Sequence, residues 1–292
     1  METTHQTETK YFPPLWTDAM LDQSIQQALR EDLEGGDLTA WSTIPSKQNA
    51  LAQGIAKQDL VICGLPIAEK VFAHLDKNTS FKTHVKEGDF VKKGTLLFEV
   101  EGEIHALLGA ERLALNYLQH LSGIASTANR YKQAVQGLDV RIVDTRKTLP
   151  GLRAYQRYAV RVGGCHNHRY NLAAGVLIKE NHIRIAGSIT TAISRAKQFA
   201  PHTTKIEIEV TNLQEFEEAQ KAGADIIMLD NMGPEELTQA VSTKKEHVLL
   251  EASGGITLET IRAVAETGVD IISVGALTHS IIASDISLLI KT

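Results

Sequence analysis

The sequence predicts an α/β protein built around an open, incomplete barrel of about six parallel strands. Three observations predict it. Six strand-like runs (VRIVDT, GVLIKE, KIEIEV, DIIMLD, HVLLEA and DIISVG) recur across residues 140–275, each followed by a helical segment. Apolar strands that alternate with helices indicate a parallel layer covered on both faces. Polar residues or glycines end nearly every run, and no glycine-rich phosphate loop follows the first, which favours a ring over a doubly wound sheet. A closed barrel needs eight such units, so six leave it open.

The elements follow in chain order. A length of 292 residues with 43% apolar content suits one large or two medium domains with a real core, and only residues 1–10, METTHQTETK, read as disordered. A helix is predicted over Thr17–Leu33, stopping at Gly35-Gly36, then strand-like runs between Ala50 and Cys63 and a short helix over Pro66–Leu75. The stretch THVKEGDFVKKGTLLFEVEG alternates apolar and polar residues between glycine-containing turns, which predicts hairpins. A long helix begins at about Gly109, with Leu113, Tyr117, Leu121 and Ile124 on one stripe. Further on, NLQEFEEAQKAG and TLETIRAVAETG are amphipathic helices that stop at Gly223 and Gly268. The alternating DISLLI after Leu277 predicts a strand that returns to the first domain.

Composition narrows the function. No apolar stretch approaches the roughly 18 residues of a membrane span, and the start of the chain has no apolar core of a secretory signal. Two cysteines, Cys63 and Cys165, exclude a disulfide framework and fit the reducing cytoplasm. A net charge of −5 argues against nucleic acid as partner. Against that background DTRKTLPGLR gathers Arg146, Lys147 and Arg153 at the end of the first strand, which marks a local anion site.

In a barrel of this kind the active site forms where strands meet the following loops. Those ends read Asp144-Thr145-Arg146-Lys147, Lys179-Glu180-Asn181-His182, Glu207 and Glu209, Asp230-Asn231, Glu251 with Ser253-Gly254-Gly255, and Gly275-Ala276. One charged strand end is ordinarily a solvated rim residue; six polar ends in succession are a lining. SGGI and VGAL offer unhindered backbone N–H groups suited to a phosphate, or else are simply tight turns. Glu209 and Asp230 on adjacent strands can hold Mg²⁺ against phosphate oxygens, or else form structural ion pairs. In GGCHNHR, the trio Cys165, His166 and His168 makes a poor zinc site, lacking a second ligand pair at zinc spacing. His168 with Arg169 reads better as a carboxylate grip, because arginine presents a planar fork. The ligand so described has phosphate at one end, a charged middle on a metal, and carboxylates at the other.

These residues resemble a known family. DTRKTLPGLR, NHR at Asn167–Arg169, LIKENHI, EIEV, LDNM and EASGGI are similar to segments of the quinolinate phosphoribosyltransferases, the carboxylating nicotinate-nucleotide pyrophosphorylases. GGDLT at Gly35 and ERLALNYLQHLSGIA at Glu111 extend the likeness over nearly the whole chain. Cys165 departs from the pattern, which usually has a third glycine there and so puts the helix ending in question.

The resemblance implies transfer of phosphoribose from phosphoribosyl pyrophosphate to quinolinate with decarboxylation, giving nicotinate mononucleotide, pyrophosphate and CO₂ for NAD synthesis, with Mg²⁺. It implies an N-terminal α/β sandwich over residues 1–116, completed by the tail 277–292, and the open barrel over 117–276. Arg112, Arg146, His168, Arg169 and Lys179 would face quinolinate, with Lys147 between the substrates. Glu209 and Asp230 would serve the ribose and metal, and Ser253, Gly254, Gly255 and Gly275 the 5′-phosphate; Thr145, Val274 and Ala276 complete the binding set. Lys147, Glu209 and Asp230 are the catalytic candidates. A homodimer with shared sites, or a higher oligomer, is implied because the residue matching Arg112 reaches its partner's site. Competing readings are a transferase for another pyridine or pyrimidine carboxylate, a biotinyl- or lipoyl-type carrier without its Met-Lys tip, and a barrel isomerase or aldolase using Lys147 or Lys179.

Overall fold

The computed structural model describes residues 13–45 and 48–291; the disorder expected at residues 1–10 lies outside them. The chain opens with α1 (Asp18–Leu33), where the Thr17 hydroxyl accepts the Met20 N–H and Leu21, Ile25 and Leu29 form the buried stripe. After α2 (Leu38–Thr43) come β1 (Asn49–Ala56), β2 (Leu60–Val61), α3 (Leu65–Leu75), β3 (Ser80–Thr83), β4 (Phe90–Val91) and β5 (Leu96–Glu103). The stretch expected to form hairpins does something else: β3 pairs with β5, while β4 leaves to pair with β2. The intervening loop is held from outside its own sequence. Glu87 accepts the N–H groups of Gly64 and Leu65, capping the start of α3, and Asp59 receives the Lys93 N–H.

The long helix α4 (Ile104–Ala134) begins five residues before the predicted start at Gly109, capped by the Glu103 carboxylate on the Ala106 N–H. Gly109 is a packing residue and not a boundary: a Cβ there would stand 3.1 Å from Leu75 Cδ1 and 3.4 Å from Leu33 Cδ1. Tyr117, Leu121 and Ile124 of the predicted stripe are buried, within a helix buried on most sides.

Beyond α4 the βα alternation holds throughout. It runs β6 (Arg141–Val143), α5 (Arg153–Val162), β7 (Val176–Ile178), α6 (Glu180–Ala186), α7 (Ile189–Phe199), β8 (Ile206–Val210), α8 (Leu213–Ala222), β9 (Ile226–Asp230), α9 (Pro234–Thr243), β10 (Leu249–Ser253), α10 (Ile261–Glu266), β11 (Ile271–Ser273) and α11 (Ala276–His279). The six strands form one parallel sheet in the order β6-β11-β10-β9-β8-β7, so consecutive strands β6 and β7 are its two free edges. That is the open barrel, and its gap lies between β6 and β7. One isolated parallel bridge, Val143 to His166, extends the β6 edge into the gap.

The last strand, β12 (Ile286–Lys291), pairs antiparallel with β1, giving an N-terminal sheet in the order β12-β1-β5-β3. Phe72, Phe81 and Phe98 fill the space between this sheet and α3. α5 ends without help from a third glycine. Gly164 takes φ 93° and the Cys165 N–H reaches back to Val160 O, so Cys165 occupies an ordinary position after the turn. Its buried thiol donates to Ala128 O.

Candidate active site

All six strands direct their C-terminal ends into one cavity of about 810 Å³. Its wall contains Thr145, Arg146 and Lys147 after β6, His168 and Arg169 from the gap, and Lys179 after β7. Glu209, Asp230, the Ser253-Gly254-Gly255 turn and Val274-Gly275-Ala276 close the ring. Arg112 does not join them: it is exposed on α4 and absent from this lining.

The basic side has unspent hydrogen-bonding capacity. Arg169 donates one Nη to Gly175 O at 2.8 Å, but its buried Nε has no partner, nor does the buried Nε of Arg146. Burial, and then the nearby Arg146 cation, pull the Arg169 guanidinium below its ordinary pKa. Two neighbouring cations on one wall attract an anion. Lys179 is paired with Glu209 across the register neighbours β7 and β8.

Behind this side lies a second charged group, paired among its own members except at the Arg157 Nε. Asp144, with no exposed surface, faces Arg157 at 3.3 Å and accepts from the His168 N–H at 2.9 Å and Asn167 Nδ2 at 2.6 Å. Arg157 donates to the His168 and Arg169 carbonyls. The NHR turn is therefore fixed by α5, a helix whose polar residues carried no functional signal in the sequence.

His168 lines the cavity and is also held within the protein. Its Nδ1 accepts the Arg169 N–H at 2.7 Å, while Nε2 lies 3.2 Å from Glu207 and 3.5 Å from Glu251. Both ring nitrogens are thus engaged within the protein, and the ring supports the Arg169 backbone. Burial alone would lower the His168 pKa, but Glu207 and Glu251 reverse that and raise it. Burial, followed by the Glu207 charge, lifts the Glu251 carboxyl to about 7.

Glu207 and Glu251 were read in the sequence only as strand ends. The signal that places them was available: Glu207 is two residues before Glu209, and Glu251 two before Ser253, so period-two alternation turns each pair to one face. The Cys165, His166 and His168 trio does not converge, since Cys165 faces Ala128 and His166 pairs with β6. Among the described residues, the group whose donor atoms could meet on one ion is His168, Glu207 and Glu251.

The opposite wall is backbone. Gly254 and Gly255 take φ of 96° and 58°, and a Cβ on Gly254 would fall 2.2 Å from Asn231 Oδ1. Only glycine fits that turn. Asn231 itself has φ 58°, its N–H bonded to Ser253 O and its side chain to Asp230. A Cβ at Gly275 would stand 2.9 Å from His279 Nε2 and 3.4 Å from Lys147 Cδ. His279, unnoticed in the sequence, shares this wall.

Known proteins resemble this chain over most of its length. Residues 37–122 match the N-terminal domain, and residues 124–289 the C-terminal domain, of the quinolinate phosphoribosyl transferase family. A probable nicotinate-nucleotide pyrophosphorylase [carboxylating] of Bacillus subtilis is 43% identical over 268 residues, 92% of each chain. One from Methanocaldococcus jannaschii is 41% identical, covering 90% of this chain and 95% of that one. The solved nicotinate-nucleotide pyrophosphorylase of Francisella tularensis superposes with a TM-score of 0.91 at 39% identity, covering 96% of this chain and all of the other.

Proposed function

This chain belongs to the quinolinate phosphoribosyltransferase family, and on that premise we propose how its cavity carries out the reaction. The reaction is transfer of phosphoribose from phosphoribosyl pyrophosphate to quinolinate with decarboxylation, yielding nicotinate mononucleotide, pyrophosphate and CO₂ in NAD biosynthesis. The observation that carries the assignment of the site is the pairing of Arg146 and Arg169, each with an unpartnered Nε, on one wall of a cavity whose other wall is glycine backbone.

Quinolinate lies against Arg146, Arg169 and Lys179, whose charges offset its two carboxylates. His168 holds Arg169 from behind. The 5′-phosphate rests on the backbone of Ser253-Gly254-Gly255 and Val274-Gly275-Ala276, where missing side chains leave the N–H groups open. Lys147, with Thr145 accepting its N–H, stands between the two substrates and neutralises charge where both are anionic.

Glu209 and Asp230 suit a magnesium site: two hard oxygen donors at the cavity face, Glu209 shared with Lys179 and Asp230 steadied by Asn231, with the remaining positions left to substrate oxygens and water. Bound there, Mg²⁺ would supply charge neutralisation on the departing pyrophosphate. The pyridine nitrogen attacks C1 of the ribose as the C1–O bond to pyrophosphate breaks, while the two carboxylates face the positive charge developing on the sugar. The nitrogen, now cationic, stabilises the carbanion left on the adjacent ring carbon when its carboxylate departs as CO₂, and that carbon then takes a proton from water. No covalent enzyme intermediate is needed; the protein positions and neutralises.

A homodimer belongs to this proposal. Exposed Arg112, outside the lining of its own cavity, supports a role in the partner's site. So does a cytoplasmic location, which fits two free buried thiols and, among the described residues, no helix long and apolar enough to cross a membrane. The test is an assay with phosphoribosyl pyrophosphate, Mg²⁺ and either quinolinate or nicotinate. Quinolinate should give CO₂ and mononucleotide in equal amounts; equal turnover of nicotinate would defeat the assignment.

A further inference from the structure

Lys147 lies on a loop outside the sheet, yet its carbonyl is bonded by a residue 131 positions away. The Thr278 hydroxyl donates to Lys147 O at 2.8 Å and lies 3.4 Å from Gly275 O. Thr278 is 1% exposed, so no water can take over either contact. It sits in α11, which starts immediately after Gly275, and its own N–H bonds Gly275 O at 3.1 Å. Its carbonyl accepts from Gln156 Nε2 at 3.3 Å, and Gln156 Oε1 accepts the Leu149 N–H at 2.9 Å. The loop of Lys147 and the turn of Gly275 are therefore tied at two points, one through Thr278 directly and one through Gln156. The Lys147 stem also runs beside Gly275, where a Cβ would lie 3.4 Å from Lys147 Cδ.

We propose that Thr278 is a positioning residue, its hydroxyl setting Lys147 relative to the glycine turn that takes the 5′-phosphate. It touches neither substrate; it acts through the Lys147 carbonyl. A threonine side chain can also merely fill space, and the two roles separate because one depends on the hydroxyl and the other on volume. Valine keeps the volume without the hydroxyl, serine the hydroxyl with less volume, and alanine neither.

The inference rests on the proposed use of the cavity, so wild-type turnover of quinolinate, assayed alongside, tests that reading separately. Relative to wild type, Thr278→Ser should keep kcat/KM for phosphoribosyl pyrophosphate within about threefold. Thr278→Val and Thr278→Ala should lose roughly 10- to 100-fold, the scale of a misplacement of about 1 Å near the reacting groups. Quinolinate affinity by calorimetry should move less than about twofold, because Arg169 and Lys179 are held by other contacts and the Arg146 carbonyl by Thr148 and Arg153. A valine variant as active as wild type overturns the proposal, as does a serine variant as impaired as alanine. If the valine variant does not fold, Thr278→Cys, with a weaker donor on a side chain of similar size to serine, must fall at least about fivefold below Thr278→Ser. Equal activity of those two overturns it as well.

Discussion

Two charged groups lie back to back in this protein, and they are built on opposite terms. Behind the cavity, Asp144 meets Arg157, Asn167 and a backbone N–H, so a fully buried carboxylate has three donors. Facing the cavity, Arg146 and Arg169 stand close enough for one cation to depress the other, and each leaves a buried Nε without a partner. Arg157 Nε is the exception within the inner group. Losing one partner of a buried ion pair strands the other, whereas a half-buried cation on a cavity wall can be lost with little cost to the fold. The two groups should therefore respond in opposite ways to the loss of one member.

Removing Asp144 should have the largest effect on the fold. Asp144→Ala leaves Arg157 buried without its counter-ion, at a cost of about 3–5 kcal/mol of stability measured by urea unfolding. A loss below about 1 kcal/mol would mean that the inner pair is no more structural than the outer cations. Removing Arg169 should spare the fold and weaken quinolinate. Arg169→Ala should lose about 2–5 kcal/mol of transition-state or ground-state binding, seen in kcat/KM for quinolinate, without falling below wild-type stability. Lys179→Ala should behave alike, somewhat more mildly, since that amine is half-exposed and paired with Glu209.

Glu251 sharpens the same contrast through pH. Burial and then Glu207 raise its carboxyl to about 7, so the protonated form is the one the fold favours. The stability this contributes is complete below the ordinary carboxylate pKa and is lost as pH rises through about 7. Between about pH 5 and about pH 8, without ligand, wild type should lose roughly 2–3 kcal/mol relative to Glu251→Gln. Parallel stability curves for the two proteins would show that Glu251 is ionised throughout.

What could be read from the chain alone follows the same division. The strand ends and glycine turns were legible because strand, turn and ligand contact lie within ten residues of one another, as in DTRKTLPGLR or EASGGI. Arg157, Gln156 and Thr278 were not, because each acts on backbone brought near only by folding; Thr278 and Lys147 are 131 residues apart. Glu207 and Glu251 were legible in principle from their period-two partners. The start of α4 was misplaced because Gly109 looks like a boundary, while its reason lies in the close approach of Leu75 and Leu33. The hairpins failed likewise: β4 pairs with β2, about thirty residues earlier, and not with the strand beside it.

The smallest expected signal concerns a cation that belongs to neither group. Arg112 is exposed and outside the lining of its own cavity. If it completes the partner's site, inactive Arg112→Ala and Lys147→Ala dimers should recover about a quarter of wild-type activity after unfolding and refolding together. Random pairing makes half the dimers mixed, and half their sites intact. A mixture that stays inactive, with exchange confirmed by mass, would assign Arg112 to its own chain.

The central claim, that the outer cations are held in reserve for a dianion while the inner pair holds the fold, is tested most directly by ligand-dependent unfolding. Wild type and Arg169→Ala are unfolded in urea with and without quinolinate at about 100 times the wild-type Kd. Wild type should gain about 2.7 kcal/mol, as linkage requires for a ligand bound only by the folded state. Arg169→Ala should unfold at least as late as wild type without ligand, and should gain little or nothing with it. A variant that is less stable alone yet stabilised by quinolinate as fully as wild type would contradict the claim.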